Sequence, residues 1–277
     1  MRQQKRFLHS RTGYRIYTQN WQPTGTPKAV LILAHGLAEH CNRYVDMAEY
    51  FATQGFAVYT LDHEGHGRSQ GPRGYINNFD DFLTTLDEYR KQIAELHPTS
   101  KIFLVGHSMG GVISTAYLLK HQEKLDGCIL SGAALATSKP VGPAQRLLLR
   151  VLSILLPKLS ILKLEANDVC HDPTVVKAYR NDPRVFTGKI QARLIAELLR
   201  TADEVLKNAA NISLPMLILH GGDDRMASPE GSEKLYAGIS SADKTLTIYP
   251  GLYHEIFFEP EKYEIYAEVH TWLEQKL

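Results

Sequence analysis

The chain has 277 residues, 44% of them hydrophobic, with 22% charged side chains and a formal net charge of +1. That length accommodates one large α/β domain, with or without an insertion, and the near-neutral balance supplies no global attraction for nucleic acid or acidic partners. Three widely spaced cysteines without a C-x-x-C pair, a basic start without an apolar signal core, and no apolar run of bilayer length point to a soluble protein of the cytoplasm.

In chain order, short apolar runs alternate with longer helical patterns. This predicts βαβ units and a mostly parallel central sheet flanked by helices. The run 29–34 reads as a buried strand ending at His35-Gly36, followed by a helix over 43–54 that Gly55 stops, and a second strand over 56–61. A helix over 79–96, closed by His97-Pro98, leads to Ile102-Phe103-Leu104-Val105, which runs straight into Gly106-His107-Ser108-Met109-Gly110. Val112, Ile113, Ala116, Tyr117 and Leu119 then carry a helical period. Further strands are expected over 127–131, 216–220 and 245–249, and a last helix over 261–275.

The spacing breaks between Ser131 and Pro215, where more than eighty residues carry no convincing strand and Pro140, Pro143, Pro157, Pro173 and Pro183 divide the segment into short helices. An excursion of that size inside a compact domain is expected to be a lid or inserted subdomain. We place a helical cap at 136–211, inserted into a core formed by 1–135 and 212–277. Within the cap, 141–157 sets Arg146, Arg150 and Ser153 on one helical face and leucine, isoleucine and valine over the rest, a pattern suited to a membrane interface or the roof of a lipid tunnel.

The G-x-S-x-G turn between a strand and a helix is the strongest chemical signal. Glycines permit the close approach of strand and helix, and the serine is lifted to a helix N-terminus where amides point at a ligand. A serine nucleophile needs a base, an orienting carboxylate and an oxyanion site, and hydrolases of this architecture carry them in the order serine, acid, histidine. The strand over 216–220 opens into Gly221-Gly222-Asp223-Asp224-Arg225, so either Asp224 or Asp223 can supply the acid; spacing favours Asp224 without excluding its neighbour. His254, in the loop after the last strand, is the expected base. The oxyanion donors are expected to be the amides of Met109 and of Leu37 in His35-Gly36-Leu37. Two other clusters are read as structural or incidental. Asp62-His63-Glu64-Gly65-His66-Gly67 lacks the spacing of a metal site and reads as a tight turn, and Cys41 has no elbow around it and is expected as a thiol near the acyl site, open to modification. No metal or organic cofactor is implied.

Together, His35-Gly36-Leu37-Ala38-Glu39-His40 with Arg43-Tyr44, the turn 62–69, Gly106–Gly111, Gly222-Asp223-Asp224-Arg225 and Tyr249–Glu255 resemble the α/β-hydrolase fold and, within it, the monoacylglycerol lipase and lysophospholipase group of bacterial type. The resemblance implies that Asp224 is the acid. It also implies that Tyr179, in Ala178-Tyr179-Arg180-Asn181-Asp182-Pro183, meets a glycerol head group. Glu39 and Arg43 are implied at the polar end of the pocket, holding glycerol or organising the loop. Where animal lipases carry a second histidine shortly after the catalytic one, this chain has Phe257. The expected activity is hydrolysis of a small lipid ester, a monoacylglycerol, to glycerol and free fatty acid, with transient membrane contact through the cap. A lysophospholipase or short-chain carboxylesterase is the neighbouring alternative, and a catalytically silent binding module the non-enzymatic one.

Overall fold

The computed structural model describes residues 2–139 and 141–277; Met1 and Pro140, one of the prolines expected to divide the insert, lie outside them. Eight strands form one sheet in the order β1-β2-β4-β3-β5-β6-β9-β10. They are β1 (Arg2–His9), β2 (Arg15–Gln22), β3 (Val30–Ala34), β4 (Ala57–Leu61), β5 (Ile102–His107), β6 (Gly127–Ser131), β9 (Met216–Gly221) and β10 (Lys244–Tyr249). From β4 to β10 every pairing is parallel, while β2 runs antiparallel to both β1 and β4.

The parallel strands alternate with α1 (Val45–Thr53), α2 (Asp80–Leu96), α3 (Met109–His121), α7 (Pro229–Gly238) and α8 (Lys262–Glu274). The strands β3, β4, β5, β6 and β9 are buried on both faces, so their side chains divide by parity between two cores, while β10 at the edge is only half-buried. On β3, Val30 and Ile32 join Phe82 and Leu86 of α2 and Val112 of α3. Leu31 and Leu33 join Phe51 of α1 and Tyr266, Val269 and Trp272 of α8. Helices on both faces of a parallel sheet leave its C-terminal rim open for loops, which is where such sheets place their sites. Register sets that rim level: Ala34 pairs Gly106, His107 pairs Ser131, Ser131 pairs Leu219, and Tyr249 pairs Gly221.

The strands β1 and β2 were not expected. Their sequences, RQQKRFLH and RIYTQNWQ, contain no apolar run: β1 is an edge strand exposed along most of its length, and β2, though buried, carries Thr18, Gln19 and Asn20 in its middle. Between β6 and β9 lie α4 (Pro143–Leu155), β7 (Ser160–Leu162), α5 (Pro173–Asn181), β8 (Ile190–Gln191) and α6 (Ala192–Lys207), none of whose strands joins the main sheet. Short helices were expected there; the antiparallel β7–β8 ribbon was not. Pro143 and Pro173 start helices rather than interrupt them, since a missing N–H costs nothing at the first helical position. The last helix, α6, lays Leu194, Leu198, Ala202 and Val205 into the main core, which fixes the insert to the sheet domain. Among the described residues no helix is long and apolar enough to cross a membrane.

Candidate active site

Ser108 sits between β5 and α3 with φ 52° and ψ −118°, a conformation that L-residues avoid. The surroundings hold it there. A Cβ on Gly110 would lie 2.0 Å from the Ala34 carbonyl oxygen, so only glycine lets α3 start this close to β3. The strained turn projects the Ser108 side chain over the rim rather than into the sheet.

The structure brings Ser108, His254 and Asp224 into one hydrogen-bonded line. His254 Nδ1 lies 2.6 Å from Asp224 Oδ2 and its Nε2 lies 2.8 Å from Ser108 Oγ. Because a carboxylate only accepts, Nδ1 must carry the proton; Nε2 is then the basic nitrogen and accepts from the serine hydroxyl. Asp223, the neighbour that spacing left open, is exposed and turned away, its amide donating to the Leu252 carbonyl oxygen at 2.9 Å. The loop carrying His254 comes close to the end of β9, where a Cβ on Gly221 would meet the Tyr253 carbonyl oxygen at 2.0 Å.

Asp224 is saturated with donors. Oδ1 accepts the amides of Met226 (2.7 Å) and Ala227 (2.9 Å), and Oδ2 also accepts from His220 Nε2 at 3.0 Å. Burial works against its charge, but His254 and His220 outweigh that and hold the carboxyl well below the usual range. For His254, burial favours the neutral ring, yet Asp224 prevails, aided by Glu255 and Glu39, and the imidazole is raised above 6.5. His107 packs its ring 4.8 Å from that of His254; burial and the nearby imidazole hold it down at about 3, so it stays neutral and donates from Nδ1 to the Ser131 carbonyl oxygen.

The Leu37 and Met109 amides face no hydrogen-bond acceptor among the described residues. The segment carrying Leu37 is pinned from both sides. Gly36 donates its amide to Glu39 Oε1 at 2.6 Å, Ala38 takes φ 68°, and the Ala38 carbonyl accepts the amide of Phe186 from the insert at 2.7 Å. His40 reaches Asp182 of the insert at 2.9 Å.

Glu39 and Tyr179 line the cavity above Ser108; Arg43 does not. The Arg43 guanidinium instead lies beneath, bonded to Glu39 at 2.6 Å and to Glu255 at 2.5 and 2.6 Å, and held between the rings of Tyr179 (4.7 Å) and Phe258 (4.4 Å). Burial tends to raise the Glu39 carboxyl, but Arg43, His107, His35 and the Tyr44 hydroxyl overcome it and hold it at about 2. Glu255 shares the same cation and goes up, burial exceeding what Arg43 returns. With both its partners buried, Arg43 organises the site and has no free donor fork for a substrate.

Three groups escaped sequence reasoning: His220, Glu255 and His107. Glu255 touches Arg43 across 212 positions of chain, and no local pattern encodes such a pair. His220 is the penultimate residue of β9 and lies four residues before Asp224; the spacing that singled out Asp224 could have flagged it. Cys41, expected near the acyl site and open to modification, is instead fully buried, with its amide on Asp62 Oδ1 at 2.8 Å and its thiol pushed up by burial and by Asp62. Asp62 organises the 62–69 turn by also accepting the Arg68 amide at 2.7 Å.

The cavity over Ser108 measures about 640 Å³. Its floor is polar, with Ser108, His254, Glu39 and Tyr179. The insert supplies an apolar remainder that includes Leu149, Ile161, Leu162, Ile195 and Leu199.

Comparison with known proteins agrees with this architecture. The chain is 38% identical over 261 residues to a monoacylglycerol lipase of Mycolicibacterium smegmatis, covering 94% of this chain and 93% of that one. It is 30% identical over 268 residues to a monoglyceride lipase of Rattus norvegicus, covering 96% and 88%. Among solved structures, the Paleococcus ferrophilus monoacylglycerol lipase superposes with a TM-score of 0.86 at 32% identity, covering 95% of this chain and 99% of that one. The fold is that of the α/β-hydrolases, and with residues 25–261 matching the serine aminopeptidase S33 family, the chain belongs to that family.

Proposed function

We propose that the protein is a carboxylic ester hydrolase that cleaves monoacylglycerol to glycerol and fatty acid, with Ser108 as nucleophile, His254 as base and Asp224 as its orienting acid. The observation that carries this reading is the 2.8 Å and 2.6 Å relay from Ser108 through His254 to Asp224, opening into a cavity polar at its floor and apolar toward the insert. Ser108 Oγ attacks the acyl carbon as His254 Nε2 takes its proton. The oxyanion is received by the amides of Leu37 and Met109, each such donor contributing about 10²–10³ in rate. Imidazolium then protonates the departing glycerol oxygen, and a water deprotonated by the same nitrogen releases the fatty acid. Residues 136–211 act as the cap that roofs the acyl chain, on a core of 1–135 and 212–277, and Tyr179 meets the glycerol head.

The family's description raises peptide chemistry, and the site argues against it. An aminopeptidase needs a free carboxylate for the substrate ammonium group. Both carboxylates lining this cavity, Glu39 and Glu255, are already bonded to Arg43. Lysophospholipids are the nearer alternative. Assay on monoacyl-, diacyl- and triacylglycerols, lysophosphatidylcholine and an aminoacyl anilide is expected to show at least tenfold higher kcat/KM on monoacylglycerol. Preference for lysophosphatidylcholine or the anilide would overturn the assignment.

We also propose that the cap meets lipid surfaces. On α4, Leu147 (64%), Leu148 (58%), Ile154 (62%) and Leu155 (72%) stand exposed. That much contiguous aliphatic surface in water marks an interaction site. Replacing Leu147, Leu148 and Leu155 together by serine is expected to lower binding to phosphatidylcholine vesicles several-fold without changing turnover of a water-soluble short-chain ester; unchanged vesicle binding would show the helix to be structural only.

A further inference from the structure

A second depression, of about 590 Å³, opens where the insert meets the loops after β9 and β10. Its lining includes Asn167, Lys177 and Arg180 from the insert, and Arg225 and Tyr253 from the core, and holds no acidic side chain. Lys177 and Arg180 are three residues apart on α5 and so share a face. Arg180 donates to the neutral Asn167 Oδ1 at 2.7 Å, which leaves its charge uncompensated. Arg225 has one weak partner, Asp168 at 4.0 Å, and its guanidinium lies over the Tyr253 ring at 4.6 Å. The ring of His171, at 3.9 Å, packs on the same tyrosine and steadies that floor.

Three full cations line one concavity. Asp168 stands near its edge and Glu259 lies behind its floor, bonded to the His171 ring at 3.1 Å and the Tyr253 amide at 2.9 Å, which leaves a surplus of about one positive charge. Phosphate carries about −1.5 to −2 near neutral pH, and guanidinium forks match its oxygens in pairs. We propose that this depression is a binding site for a phosphate group, distinct from the cavity over Ser108. Arg225 directly follows Asp224 and Tyr253 directly precedes His254, so a phosphate held here bridges the loops that carry the acid and the base, and cross-links both to the insert through α5. Binding is therefore expected to raise thermal stability in proportion to occupancy.

The test is phosphorus NMR titration and thermal shift with inorganic phosphate, at constant ionic strength set with chloride, on the intact protein and on the Lys177→Gln/Arg180→Gln variant. Wild type is expected to show saturable line broadening and a rise in Tm, both weakened at least tenfold in apparent affinity in the variant. The variant's Tm in chloride alone is expected to match wild type, both side chains being exposed. Arg225→Gln provides an independent second variant with the same expected loss. Should inorganic phosphate fail but phosphatidic acid vesicles bind wild type more tightly than either variant, the same chemistry is being presented by a lipid head group. An equal response of wild type and both variants, or no response to either phosphate source, would overturn the proposal. Because the readout is binding, it is independent of whether monoacylglycerol is the substrate.

Discussion

Replacing Ser108 by alanine is expected to lower kcat on monoacylglycerol by about 10⁴–10⁶, the loss typical of removing a serine nucleophile from such a relay. The variant isolates the hydroxyl. Alanine keeps the Cβ, so the strain of φ 52° is the same in both proteins and the turn has no new reason to move. The hydroxyl is nearly buried and, among the described residues, its hydrogen bond is to His254 Nε2, so folding loses little with it. Tm is expected to stay within a few degrees of wild type, and KM within about threefold, while labelling by a fluorophosphonate disappears. The residual rate should still exceed that in water, because the Leu37 and Met109 amides, proposed to receive the oxyanion, remain. Activity within tenfold of wild type would place the nucleophile elsewhere. A wild-type protein that resists the fluorophosphonate would instead favour a silent binding module.

What could be read from the chain before its structure follows a physical division. The 102–111 segment was legible because strand, strained turn and helix are adjacent in sequence, and the glycines that the turn demands are written beside the serine. His254 was legible because the order of elements confined the search to one loop. Between Asp223 and Asp224 the sequence offered only a preference: both follow β9, and only the folded loop turns one of them to the imidazole. The strands β1 and β2 were illegible for the opposite reason. A polar strand is stabilised by pairing with its neighbour, as in the register Arg2 to Gln22 through His9 to Arg15, and pairing leaves no mark on composition. The same holds for Arg43. Its spacing from Glu39 was visible, but its engagement by Glu255 reverses its place from the cavity wall to the layer beneath, and that contact joins the ends of the chain.

Asp224→Asn is expected to lower kcat by about 10⁴ while moving the acidic limb of the pH profile to lower pH. Two consequences of one hydrogen bond explain the pairing. In the wild type, Nδ1–H donates to Oδ2 at 2.6 Å and leaves Nε2 free to take the serine proton. An asparagine presenting its NH₂ at that position favours the opposite tautomer, with the proton on Nε2 and no base toward Ser108. The second consequence is electrostatic. Burial lowers the pKa of His254 and the Asp224 carboxylate more than restores it, so the wild-type ring titrates above 6.5. Only the neutral ring acts as base, so kcat/KM of the wild type rises with pH through that raised pKa and is lost below it. Without the carboxylate, burial acts with less opposition, since Glu255 and Glu39 are the remaining acidic influences on the ring. The limb then shifts toward acid even as its plateau falls. A merely structural acid would lower the plateau through misfolding and leave the limb where it was. A kcat/KM profile over pH 5–9, measured with Tm on the same samples, separates the two, and an unmoved limb at reduced rate would remove Asp224 from the relay.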